Sequence, residues 1–201
     1  MMAERREAGQ KGGRAFLGVT ERTQLLMLAR ESIKYGLSHG CRQPLSGFTA
    51  AVFRHHAACF VTLTKAGALR GCVGTLVADQ PLADTVAYFA YSAAFEDHRF
   101  EPLAANELAQ VCIGISVLSQ QEPMAIGSES QLLETLSPCK DGLTLSYGRH
   151  HATFLPQVWE SLPEPRAFVS ALKAKAGLPE DFWSTEMQWS HYGVESFSER
   201  D

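Results

Sequence analysis

The sequence predicts an α+β fold in which antiparallel strand hairpins pack against helices. Three observations carry this reading. Two pairs of β-patterned runs are each joined by a short turn: 60–64 with 69–73 across Lys65-Ala66-Gly67, and 143–147 with 151–155 across Gly148 and Arg149. Outside them, apolar residues recur at helical spacing, as in Leu25, Leu28, Ala29 and Ile33. The two hairpins also open on similar strands, Val61-Thr62-Leu63-Thr64 and Leu143-Thr144-Leu145-Ser146, and each leads through a second strand into a helix. That echo permits a pseudo-repeat of two related halves with a cleft between them.

In chain order, residues 1–18 are polar and glycine-rich and predict a mobile leader. Thr20 reads as the N-cap of an amphipathic helix that ends near Gly40. Cys41 to Thr49, with Pro44 and Gly47, reads as a loop, and Ala50 to Arg54 and Ala58 to Thr64 read as strands. The Leu69 to Val73 strand returns beside Phe60 to Thr64. Pro81 opens a helix carrying Leu82, Val86 and Ala90 that runs to about Phe95. The β-branched, nearly continuous apolar run Val111 to Leu118 predicts a central strand. A short helix from about Ser128 to Leu136 precedes Pro138, the Asp141-Gly142 turn and the second hairpin. Pro156 and Pro165 each begin a helix, the second stopping at Gly177 and carrying Lys173 and Lys175 on its surface. Glu186 to Tyr192 reads as the last strand, after which Phe197 tucks down a polar tail.

With 201 residues and 45% hydrophobic content the chain can bury a real core. A net charge of -4 without a basic stripe excludes a protein that grips nucleic-acid phosphates. No apolar run approaches a membrane span, and the start lacks the apolar core of a secretory signal, so a cytoplasmic location is expected. Cysteines at 41, 59, 72, 112 and 139 form an odd set without CxxC spacing, which predicts reduced thiols, with Cys59 and Cys112 in the core.

One stretch looks built for a site: Leu69-Arg70-Gly71-Cys72-Val73-Gly74-Thr75-Leu76. Strand alternation places Arg70 and Cys72 on one face, where an unpaired guanidinium would favour the thiolate. Gly71 and Gly74 admit a ligand or another backbone at close range. The bland alternative is a kinked strand with a buried cysteine and with Arg70 held by a carboxylate elsewhere. A second cluster, Phe95-Glu96-Asp97-His98-Arg99-Phe100, sets four consecutive ionisable residues between phenylalanines, pointing either into a cleft or into solvent. His55, His56, His98, His150 and His151 are the histidines available as a thiol's base, and sequence does not choose among them. No spacing marks a metal site, a phosphate loop or a nucleophile elbow.

Read together with Ala93-Ala94-Phe95-x-Asp97-x-Arg99-Phe100-x-Pro102-Leu103 and Ala152-Thr153-Phe154-Leu155-Pro156-Gln157-Val158-Trp159, the Arg-Gly-Cys stretch makes the chain resemble the AMMECR domain family. Its bacterial and archaeal members are known as AmmeMemoRadiSam system protein A. The likeness runs from about residue 20 to residue 197, with Val73 where the family motif has isoleucine. The resemblance implies a single α+β domain of two related lobes, over residues 19–201 after the 1–18 leader. It also implies association with a Memo-like protein and a radical SAM enzyme, and a suspected site at Arg70, Gly71, Cys72 and Gly74. It supplies no reaction. Two function readings follow. In the first, the protein is an enzyme in which Cys72 is the nucleophile or ligand-gripping thiol. Arg70 stabilises an anion, Asp97 or a histidine assists, and Gly71, Gly74, Thr75 and Arg99 contact an unknown small-molecule or protein substrate. The alternative is a non-catalytic binding or adaptor module for the Memo-like protein or the radical SAM enzyme. A metal site combining Cys72 with histidines ranks last.

Overall fold

The computed structural model describes residues 17–44 and 51–201. Residues 1–16 of the expected leader, and 45–50 around the expected Cys41 to Thr49 loop, lie outside them. Among the described residues the fold is α+β: two four-stranded antiparallel sheets, each covered by helices on one face.

The first helix, α1 (Val19–His39), is capped by Gly18 and not by Thr20. The Gly18 N–H donates to Glu21 Oε2 at 2.6 Å, so a glutamate one turn in closes the helix start. Its buried stripe of Leu25, Leu28, Ala29 and Ile33 follows the spacing read from the sequence, and Gly40 ends it in the left-handed region. The expected strand at 50–54 is instead a short helix, α2 (Ala51–Arg54), while Ala50 lies outside the described residues. Next come β1 (Cys59–Lys65) and β2 (Ala68–Gly74), joined by Ala66 and Gly67, both at positive φ as a tight hairpin turn demands. Helix α3 (Leu82–Phe95) then lies across both strands, and β3 (Val111–Leu118) pairs with the other side of β1. Val61, Leu63, Ile113 and Ile115 point to the helices and form one core with α1 and α3.

The second half repeats this plan. After β4 (Glu122–Met124) and α4 (Glu129–Thr135), the hairpin of β5 (Gly142–Tyr147) and β6 (His150–Phe154) is followed by α5 (Pro165–Lys175) and β7 (Gln188–Tyr192). Leu143, Leu145 and Trp189 meet Phe168 and Leu172 in a second core, with Trp159 stacked on Phe168 at 3.8 Å. Thr62 lies opposite Cys72 and Gly114, and Thr144 lies opposite Thr153 and Ser190. The echo between residues 61–64 and 143–146 therefore marks equivalent strands.

The last strand, β8 (Val194–Ser198), replaces the expected polar tail and completes the first sheet, in the order β2-β1-β3-β8. Its inward Glu195 and the following Glu199 meet Arg22 and Arg30 of α1 at 2.7 and 2.5 Å. Ion pairs take the place of the apolar residues that would have announced it. Strand β4, on the free side of β7, completes the second sheet in the order β4-β7-β5-β6. Each lobe's fourth strand thus follows the other lobe's third, so β3–β4 and β7–β8 form one ribbon crossing between the sheets.

Lys173, expected on a helix surface, is fully buried. Its Nζ donates to Glu129 Oε1 at 2.5 Å and to the Glu180 carbonyl at 3.1 Å. Glu129 keeps partial access to water, so Lys173→Met removes the buried charge without stranding its partner. Its expected cost in urea denaturation is under about 1.5 kcal/mol.

Candidate functional site

The Arg-Gly-Cys motif lies on β2, the edge strand of the first sheet. Between Leu63 and Thr64 the pairing with β1 skips a residue: Thr64 lies opposite Leu69, whereas Leu63 lies opposite Gly71. Arg70 is the extra residue of this bulge, so the alternation that placed it beside Cys72 breaks there. Its guanidinium goes to Glu107, Nε to Oε1 at 3.2 Å and Nη2 to Oε2 at 2.9 Å. Lys65 Nζ reaches the same carboxylate at 2.8 Å. Arg70 first, and then Lys65, pull the Glu107 carboxyl down to about 2. Arg70 is therefore not the unpaired cation that the alternation implied. Its other terminal nitrogen, Nη1, is buried without a hydrogen-bond partner, so no ligand reaches it as the side chain stands.

Cys72 is half-buried, and its Sγ accepts the Thr62 hydroxyl at 3.2 Å. Its backbone N–H and C=O face outward from the sheet edge, and the second motif covers both. The N–H donates to Asp97 Oδ2 at 2.8 Å, and Arg99 Nη2 donates to the Cys72 carbonyl at 3.0 Å. Asp97 also accepts the Arg99 N–H at 3.2 Å, Nε at 2.9 Å and Nη2 at 2.7 Å. Asp97 and Arg99 thus stand where a neighbouring strand would pair, a side-chain clamp on an open edge. The Arg99 guanidinium, aided by the two backbone N–H groups, holds the Asp97 carboxyl well below the usual carboxylate range.

The two glycines serve packing. A Cβ on Gly71 would lie 2.1 Å from the Ala93 carbonyl oxygen, where the end of α3 presses on the strand. One on Gly74 would lie 2.4 Å from the Cys59 oxygen and 2.5 Å from the Phe60 ring. Thr75 donates its N–H to the Cys59 carbonyl at 3.0 Å, and its hydroxyl accepts the Val77 N–H at 3.0 Å, so it shapes the turn that leaves β2. No histidine is hydrogen-bonded to Cys72 among the described residues. His150 contacts the Ala176 carbonyl and His151 the Ser146 hydroxyl, both in the second lobe. Cys59 is buried as expected, and burial pushes its thiol up to about 12. Cys112 is not in the core; it alternates with the inward Val111 and Ile113 on the uncovered face that holds Thr62 and Cys72.

That uncovered face has a groove of about 330 Å³ lined by the hydroxyl residues Thr62, Ser116, Ser196 and Ser198, by Asp201, and by Gly114, Ile115 and Phe197. Ser116 and Ser196 share a hydrogen bond of 2.9 Å across β3 and β8. A Cβ on Gly114 would meet nothing closer than 3.8 Å, so packing does not require glycine there. In the second lobe, the position of Cys72 is taken by Thr153. Its Oγ1 lies 3.0 Å from Thr144 Oγ1 and 2.9 Å from the Tyr192 hydroxyl. Sequence reasoning missed Thr62, Glu107 and the groove. The small residues Cys112, Gly114 and Ser116 at alternate positions of 111–118 were the available signal for an uncovered face.

An α+β protein of two lobes, with a thiol on a clamped edge strand beside a groove of mixed hydroxyl and apolar lining, is the class defined here. The AMMECR1 family profile matches residues 26–197, and the chain belongs to that family. A protein of Methanothermobacter thermautotrophicus is 32% identical over 191 residues, covering 92% of this chain and 97% of the relative. One of Methanococcoides burtonii is 33% identical over 185 residues, covering 92% of each. The crystal structure of an uncharacterized protein from Pyrococcus horikoshii superposes with a TM-score of 0.77 at 28% identity, covering 89% of this chain and 91% of that one. Among the described residues no helix is long and apolar enough to cross a membrane, and no group of histidine, cysteine and carboxylate residues could hold a metal ion.

Proposed function

We propose that this protein is a binding module whose contact surface is the uncovered face of the first sheet around Cys72 and the groove. The partner is the Memo-like protein or the radical SAM enzyme implied by the family resemblance. It works in the cytoplasm, where its five free cysteines stay reduced, and residues 19–201 form the binding unit. One observation carries the reading: Arg70 and Asp97, expected to serve a reacting thiol, and Arg99, expected to contact substrate, are each hydrogen-bonded to internal partners. The outward surface of this face combines hydroxyls, thiols and apolar patches, with the water-exposed Arg99 guanidinium committed to Asp97 and the Cys72 carbonyl at its edge, and it suits contact over an area more than acid–base work.

The test is co-purification with each partner from the same organism. Ser116→Arg places a long cation in the groove and is expected to weaken capture about tenfold or more, a loss of roughly 1.4 kcal/mol. Cys72→Ala is expected to keep capture within about threefold, since a rim contact carries little energy. The opposite pattern, capture intact in both variants but pathway function lost with Cys72→Ala, would give the protein to the thiol-enzyme reading. That reading rests on a half-buried Cys72 that forms no disulfide.

A further inference from the structure

We propose that the crossed ribbon makes the two lobes one cooperative unit, so that the Cys72 face is held in shape by the core of the other lobe. Neither sheet is complete within its own half of the chain. The first borrows β8 from beyond β7, and the second borrows β4 from beyond β3. The two strand crossings touch: the Ser119 N–H donates to the Gly193 carbonyl at 2.9 Å, and the Gly193 N–H donates to Ser119 Oγ at 2.9 Å. Leu118 and Tyr192, on either side, are buried in a small cluster with Ala58, joined by Phe60, Leu155 and Val194 from both lobes.

The coupling follows from chain length. Strand β8 is five residues long and is separated from β7 by Gly193 alone. A strand that short has no stability of its own. When β7 leaves the second core, β8 loses its anchor, and with it go Ser196 and Ser198 of the groove and the Glu195 and Glu199 partners of α1. The reverse holds through β3 and the three-residue β4, whose pairing to β7 closes the second sheet.

The intact chain carries a separate reporter in each lobe. Trp159, Trp183 and Trp189 all lie in the second lobe, so intrinsic fluorescence follows that core. Cys59, fully buried on β1, follows the first when Cys41, Cys72, Cys112 and Cys139 are replaced by serine or alanine and iodoacetamide pulses are given along a urea series. The expected result is one shared midpoint. Ile113→Val in the first core and Phe168→Leu in the second should each lower the fluorescence and alkylation midpoints by equal amounts. The proposal is overturned if the midpoints differ in the parent, or if either substitution moves the probe in its own lobe and leaves the other in place. Should Phe168→Leu fail to fold, the milder Ile113→Val decides the matter alone.

Discussion

Gly71→Ala is expected to lower stability by about 3 kcal/mol, at the upper end of what overpacking costs. The new methyl would stand 2.1 Å from the Ala93 carbonyl oxygen, a backbone atom that cannot rotate away as a side chain can. Relief requires β2 and the C-terminal end of α3 to separate. Asp97 lies two residues beyond that helix end, so the same movement draws its carboxylate away from the Cys72 N–H that it accepts at 2.8 Å. Urea denaturation measures the cost, and amide exchange at Cys72 reports the clamp. Gly114→Ala is the matched control: its methyl meets nothing within 3.8 Å, and its expected effect stays within about 0.5 kcal/mol. Unchanged stability in Gly71→Ala would mean that the helix end yields freely, and would return this glycine to the list of ligand contacts.

This contrast explains which parts of the site were legible in the sequence. The hairpin around Lys65-Ala66-Gly67 was, because alternation and turn chemistry are local signals. Two glycines around a cysteine marked close approach, but composition cannot say whether a ligand or a helix approaches. Arg70 and Cys72 were placed on one face by an alternation that one bulged residue interrupts. The carboxylate that binds Arg70 is 37 residues away and carries no local signature. Lys173 and β8 failed for a related reason. Glu195, Glu199 and Lys173 are charged side chains turned inward onto distant partners, so a hydropathy pattern reads them as surface. Strand β4, three residues long with Pro123 at its centre, is too short for any periodicity. The duplicated plan was visible in eight residues, yet the exchange of fourth strands between lobes is a property of pairing alone.

Asp97→Asn is expected to cost about 2–3 kcal/mol near neutral pH, because charge-assisted hydrogen bonds are lost inside a nearly buried site. An amide in place of the carboxylate turns one of its N–H groups toward Arg99 or the Cys72 N–H, donor against donor. The cost should depend on pH in a defined direction. Arg99 holds the folded-state carboxyl below its ordinary value, so on acidification the unfolded chain takes up this proton first. The stabilisation is therefore complete above about pH 4, where the unfolded carboxylate is ionised, and is lost as pH falls toward and through the folded value. Exposure of the Arg99 guanidinium to water reduces the magnitude without changing the sign. Glu107, held down to about 2 by Arg70 and Lys65, acts in the same sense. Melting temperatures of parent and Asp97→Asn, taken from about pH 7 down to about pH 2, should converge on the acid side. Asp97→Ala also uncovers the β2 edge, so concentration-dependent association in sedimentation is expected to accompany the lost stability. A stability gap that stays constant across the pH range, in a variant that remains monomeric, would show that the clamp neither depends on charge nor protects the edge.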